Sequence, residues 1–130
     1  MPYVKFILPT APNQPVTLNG GMKMPSWYDI KSLSSNRANE DCTGIDESRE
    51  TVLNFLREEN SSGIPYSRMI IGGFSQGGAL SLYTGLQMKD AQMNDEYLAG
   101  ILCMSGYLAA AHKLQINDGV LSNTPILHCH

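Results

Sequence analysis

The sequence predicts an α/β layer fold built on a parallel sheet. Three observations carry this. Apolar runs without polar alternation stand at 68–74, 98–108 and 124–130, as expected of strands buried on both faces. Helix-forming stretches at 46–60 and 76–88 precede the first two runs. Strands that alternate with amphipathic helices return the chain to the same end of a sheet, which makes neighbouring strands parallel.

In chain order, YVKFILP (Tyr3–Pro9) is a short β-branched and aromatic run stopped by a proline, and predicts a first strand. Thr10–Ile30 is rich in Pro, Asn and Gly and predicts a long loop, a length at which loops are often functional. Lys31–Gly44 is polar and predicts surface. A helix is expected from Asp46 to about Asn60. Thr43 and Asp46 have capping-box spacing, and acids crowd the first turn. Val52, Leu53, Phe55 and Leu56 form its apolar stripe, and Gly63 and Pro65 end it. Arg68–Phe74 and Leu98–Leu108 predict fully buried strands, with a helix from Gln76 to about Met88 between them. Thr124–His130 predicts a last strand. No repeat or low-complexity tract interrupts this order.

The totals bound the function. A chain of 130 residues suits one domain, and 42% apolar against 16% charged residues is a globular composition. The net charge of −3 and the lack of any Lys/Arg cluster exclude nucleic acid as the main partner. Three widely spaced cysteines without a C-x-x-C pair fit a reduced, cytoplasmic protein. Cys103 and Cys129 sit in apolar runs and are expected to be buried thiols. The opening MPYVKFILPTAP is not patterned as a signal peptide, and no run reaches the ~18 apolar residues of a membrane span. Transient contact with a membrane surface is compatible with this composition.

Gly73-Phe74-Ser75-Gln76-Gly77 matches G-x-S-x-G. The match follows a predicted buried strand and opens a predicted helix, the context of a nucleophile elbow. A serine that attacks a carbonyl must stand at the tip of a sharp strand-to-helix turn, with its Oγ clear of the sheet. Side chains on its neighbours would clash as strand and helix close, so Gly73 and Gly77 are expected to be required. Gly72 and Gly78 extend the clearance. The helix start favours negative charge, and the Gln76 N–H is placed to meet a developing oxyanion. A phosphate-cradling loop fails on detail, since neither G-x-G-x-x-G nor G-K-[ST] occurs. A tightly packed glycine-rich turn without chemistry is the structural alternative.

PTAP, MPSWYDI, GIPYSRMIIGGFSQGGALSLYTG and PILHCH together resemble the acyl-protein thioesterases, in the phospholipase/carboxylesterase group of α/β-hydrolases, over nearly the whole chain. The resemblance implies the central portion of an α/β-hydrolase domain over 1–130, a mostly parallel sheet flanked by helices. It implies a cytoplasmic serine hydrolase acting on fatty-acyl thioesters of proteins, through an acyl-enzyme on Ser75, with Gln76 as one oxyanion donor. Lysophospholipids or small esters are the alternative substrates, and a non-catalytic acyl- or protein-binding relative is the alternative role. By the same resemblance Trp27 walls the site, Met22, Met24 and Leu33 line an acyl groove, and Leu108 lies near the pocket. Packing roles remain open for each of these. No metal and no organic cofactor is implied.

The resemblance also sets an expectation about what is not here. The family's last strand continues into G-x-x-D, and its catalytic histidine follows later. An L-H-G-x-G turn ahead of the first strand here supplies the second oxyanion N–H. Neither His112, His128 nor His130 matches the base. His128 and His130 could share one strand face, but without a third ligand they make no metal site. The 130 residues are therefore expected to hold a partial domain: nucleophile and one oxyanion donor, without the triad Asp and His.

Overall fold

Three parallel strands in chain order form the centre of the structure, a computed structural model that describes residues 3–34, 37–88 and 96–130. These are β3 (Ile70–Phe74), β4 (Gly100–Met104) and β5 (Ile126–Cys129). A short antiparallel hairpin precedes them, β1 (Asn13–Val16) with β2 (Met22–Pro25). The helices are α1 (Ile45–Ser61), α2 (Gln76–Leu86) and a single turn, α3 (Val120–Asn123). The parallel α/β layering read from the sequence is present, with the strands shorter than predicted. Part of the polar 31–44 stretch, positions 35–36, lies outside the described residues.

Register decides what the sheet buries. Ile71 pairs with Ile101 and Gly73 with Cys103, and the side chains of this face are buried. Leu53 and Leu56 of α1 and Leu82 of α2 close over it, with Tyr66 and Leu98 completing the cluster. α2 is apolar around most of its circumference and accordingly sits buried from Gly78 to Leu86. A second cluster joins Tyr28, Cys42 and Ile45 to Ala79, Leu80 and Tyr83 on its other side.

The opposite face of the sheet departs from expectation. β3 and β4 were predicted to be buried on both faces, yet Ile70 is 67% and Phe74 68% exposed. Leu127 on β5 is exposed beside them. Both long helices lie on the Ile71–Ile101 side, so among the described residues nothing covers the Ile70–Phe74 side. The same geometry corrects Cys129. It pairs with Met104 on the uncovered face and is exposed, whereas Cys103 on the covered face is buried.

Tyr3–Pro9 is not a strand, and Tyr3, Phe6 and Leu8 stand in solvent. Strand-forming composition needs a neighbouring backbone to complete its ladder. Here the recorded side-chain tie of the segment is the ion pair of Lys5 with Glu59. The reverse holds for the predicted loop, where β1 and β2 pair around a turn with Gly20 and Gly21 at φ 66° and 78°.

The α1 cap also differs. Gly44 is the N-cap at φ 92° and makes no side-chain bond, so Thr43 does not form a capping box. Asp46 instead accepts a 2.8 Å hydrogen bond from the Tyr83 hydroxyl, which ties α1 to α2. The far end of α1 closes as expected: Gly63 N–H donates to the Asn60 carbonyl and Ile64 N–H to that of Glu59, a Schellman arrangement.

Candidate active site

Ser75 stands where β3 passes into α2, at φ 52° and ψ −115°. This is backbone that a residue with a Cβ adopts only under constraint. The constraint is visible in the bonds around it. Ser75 N–H donates to the Met104 carbonyl at 2.8 Å, and Ala79 N–H donates to the Ser75 carbonyl at 3.0 Å. The residue is thus held from β4 on one side and from α2 on the other. Its side chain is exposed and makes no cap bond to the helix it precedes, so the hydroxyl is presented outward.

The glycines of the motif are unequal. A Cβ on Gly73 would lie 2.3 Å from the Gly77 carbonyl carbon and 2.7 Å from the Gly78 nitrogen. Strand and helix therefore approach so closely that only glycine fits at 73. A Cβ on Gly77 would meet nothing within 4 Å. The expected clearance need at Gly77 is corrected: its backbone is what Gly73 approaches, and its own missing side chain is not what allows that approach.

Gln76 is the first residue of α2, so its backbone N–H has no acceptor inside the helix. Its side chain reaches back to the Met24–Ile30 stretch. Nε2 donates to the Ser26 hydroxyl and to the Tyr28 carbonyl, both at 2.8 Å, and Oε1 accepts from Trp27 N–H at 3.0 Å. The same short segment is held from other sides. Gln14 Nε2 donates to the Ser26 carbonyl at 2.6 Å, and the Ser48 hydroxyl donates to the Trp27 carbonyl. Sequence reasoning gave Gln76 a role through its backbone alone and missed this clamp. The partners lie about fifty positions away, beyond any local pattern.

The predicted substrate residues are placed as follows. Trp27 is half-buried and packs against the second apolar cluster. Met24 is half-buried on β2, with its sulfur accepting from Asn19 Nδ2 at 3.0 Å. Leu108 packs against the first cluster, while Met22 and Leu33 are mostly exposed. Of these, Trp27 is the one the structure ties directly to the elbow, through Gln76.

Beneath the Trp27 loop, the Tyr28 hydroxyl donates to that of Tyr107 at 3.2 Å, and the Arg37 guanidinium lies 4.2 Å from the centre of the Tyr107 ring. Burial, reinforced by the bond to Tyr107, pushes the Tyr28 phenol well above the ordinary tyrosine range. Burial likewise raises the Cys42 thiol. Both groups stay protonated near neutrality and are not bases. His128 Nε2 lies 3.2 Å from the Gly106 carbonyl, and exposed His112 faces Asp41 at 3.5 Å. Among the described residues no histidine is hydrogen-bonded to Ser75.

The phospholipase/carboxylesterase family matches residues 1–130. The chain is 47% identical over 129 residues to acyl-protein thioesterase 1 homolog 1 of Dictyostelium discoideum, covering 98% of this chain and 54% of that protein. It is 44% identical over 129 residues to acyl-protein thioesterase 1 of Yarrowia lipolytica, with the same two coverages, 98% and 54%. Among solved structures, a variant of SOBER1 from Arabidopsis thaliana matches with a TM-score of 0.81 at 29% identity, over 94% of this chain and 56% of that one. Acyl-protein thioesterase 2 of Zea mays matches with a TM-score of 0.71 at 32% identity, over 94% and 56%. The chain spans about half the length of the relatives it matches. It belongs to the phospholipase/carboxylesterase family, and its fold is that of the α/β-hydrolases.

Proposed function

We propose that this chain carries the nucleophile half of an acyl-protein thioesterase. The observation that supports this most is Ser75: an exposed serine in strained backbone, at a strand-to-helix turn so close that a Cβ on Gly73 or Gly78 would meet backbone. In this reading Ser75 Oγ attacks the carbonyl carbon of a fatty-acyl thioester on a protein. The tetrahedral oxyanion is met by the Gln76 N–H, collapse expels the cysteine thiolate, and water then hydrolyses the acyl-enzyme. The thioester preference follows the names of the relatives at 44–47% identity. Lysophospholipids and small esters remain the competing substrates.

A base must take the Ser75 proton, and no described residue is bonded to Ser75 in that role. The proposal therefore assigns Ser75 and Gln76 to this chain and asks for base and orienting acid from residues outside this set. Trp27 and Met24 flank the acyl path, with Leu33 and Leu108 further along it. Exposed Leu18 and Met22, beside Lys23 on the hairpin, suit brief contact with a membrane that presents acylated proteins. Among the described residues no helix is long and apolar enough to cross a membrane. A cytoplasmic location completes the proposal, supported by three unpaired thiols.

The test is covalent labelling. At the protein's natural length, a fluorophosphonate probe is expected to modify Ser75, and Ser75→Ala is expected to abolish both labelling and thioester hydrolysis. Retained turnover in Ser75→Ala refutes the assignment. Competition between an acyl thioester and the matching oxyester ranks the substrates.

A further inference from the structure

We propose that the Gln76 side chain is a positioning residue. It locks the Ser26–Tyr28 loop to the elbow and thereby fixes the direction of the N–H that meets the oxyanion. This rests on the serine-hydrolase reading above and adds a residue role to it.

Consider what the amide does. Gln76 follows the nucleophile directly, so rotation of its peptide plane moves the proposed donor. Its side chain makes three hydrogen bonds to three successive residues, Ser26 Oγ, Trp27 N–H and the Tyr28 carbonyl, at 2.8, 3.0 and 2.8 Å. Two donors and one acceptor are matched by two acceptors and one donor, so only an amide of this length satisfies the set. The Ser26 hydroxyl also donates to the Tyr28 carbonyl at 2.7 Å, which closes the network on itself. Ser26 and Tyr28 are buried, so breaking the clamp strands polar groups away from water. The loop is independently anchored by Gln14, Ser48 and the bond from Asp29 N–H to the Thr43 carbonyl. Gln76 is therefore not needed to hold the loop in place. It is where a rigid loop meets a strained elbow, and the loop is the fixed partner.

The experiment uses the protein at its natural length, a soluble acyl thioester as substrate, and hydrogen exchange at the Trp27 and Gln76 amides. Gln76→Met keeps the length and removes the three bonds. It is expected to lower kcat about 10- to 100-fold with KM changed less than about threefold, as for loss of a transition-state contact. Exchange at Trp27 N–H is expected to quicken. Gln14→Met loosens the same loop from the hairpin side, and its kcat is expected to stay within about twofold of wild type. Ser26→Ala removes one of the three partners and leaves Gln76 intact. It is expected to show a smaller loss of kcat, which keeps the test open should Gln76→Met not fold.

Wild-type kcat in Gln76→Met overturns the proposal. So does an equal loss of kcat in Gln14→Met, since loop stability alone would then account for both. Full turnover in Ser75→Ala overturns the hydrolase reading beneath it, and shows this independently of any Gln76 variant.

Discussion

Gly73→Ala and Gly77→Ala should have opposite effects on stability, although both remove a glycine of the same five-residue motif. At 73 the added methyl would sit 2.3 Å from the Gly77 carbonyl carbon and 2.5 Å from its oxygen. That is more than about 1 Å inside ordinary contact, and both neighbours are backbone, so no side chain can swing aside. The start of α2 must move off the sheet, or β3 must bend. Overpacking of this kind costs about 3 kcal/mol, at the upper end of its usual range. At 77 the methyl meets open space, and Gly→Ala in a helix gains up to about 1 kcal/mol. With a urea slope of about 2 kcal/mol/M, the midpoint should fall by about 1.5 M for Gly73→Ala and rise by up to about 0.5 M for Gly77→Ala. Trp27, the single tryptophan, reports unfolding by fluorescence at low protein concentration. Equal midpoints for the two variants, or a destabilised Gly77→Ala, would refute this account of the elbow.

Residues 1–130 expressed alone should hydrolyse esters on the order of 10⁶-fold more slowly than a complete serine hydrolase, because no described histidine is bonded to Ser75; turnover near that of the relatives refutes it. The same chain should self-associate in sedimentation velocity through the uncovered Ile70, Phe74 and Leu127 face, with Ile70→Thr plus Leu127→Thr shifting it towards monomer. A monodisperse wild-type monomer counts against that. Cys129 should react with a disulfide reagent at pH 8 well before Cys42 and Cys103. Burial raises both inner thiols, which lowers their thiolate fraction at any given pH, and it also blocks access. Equal rates for all three in the folded chain would contradict this. Thr43→Ala should change stability by less than about 0.5 kcal/mol, against the ~1 kcal/mol a true cap costs, because Gly44 and not Thr43 is the N-cap of α1.

What was legible in the sequence was what is local. The run Ile70–Phe74, the serine and α2 are contiguous, so strand, turn and helix could be read in one pass. The parallel order followed because chain order and sheet order coincide for β3, β4 and β5. Tyr3–Pro9 failed because composition reports fitness for a sheet and says nothing of a ladder partner. The hairpin failed in the opposite sense. NQPV and MKMP lack a strand signature, and the Asn19-Gly20-Gly21 turn was the one cue to their pairing. Burial on both faces was inferred from apolar runs, yet burial depends on which elements pack where. In the site, the strand-to-helix turn at Ser75 was legible from its neighbours, while the Gln76 clamp spans 48 to 50 positions and has no local signature.

The same contrast explains why strain collects at one end of the sheet. β3 passes into Ser75 with φ 52°, and β4 into Ser105 with φ 48°. Each such residue costs on the order of 1–3 kcal/mol and persists only where surrounding bonds over-determine it. Here each junction is held by the neighbouring strand. Ser75 N–H donates to the Met104 carbonyl, the last of β4, and Ser105 N–H donates to the Cys129 carbonyl, the last of β5. Each strand thus fixes the turn that leaves the strand before it, and the ladder continues one residue into each turn. In open α/β sheets ligands bind outside the carboxyl ends of the strands. In the proposed reaction, a hydroxyl fixed there by the sheet and a neighbouring N–H fixed through a loop the sheet does not contain would be two independent constraints on one carbonyl. Releasing Gln76 from the loop should therefore affect the proposed oxyanion contact while leaving the serine in place, which is why the Gln76 variants are read by kcat rather than by stability.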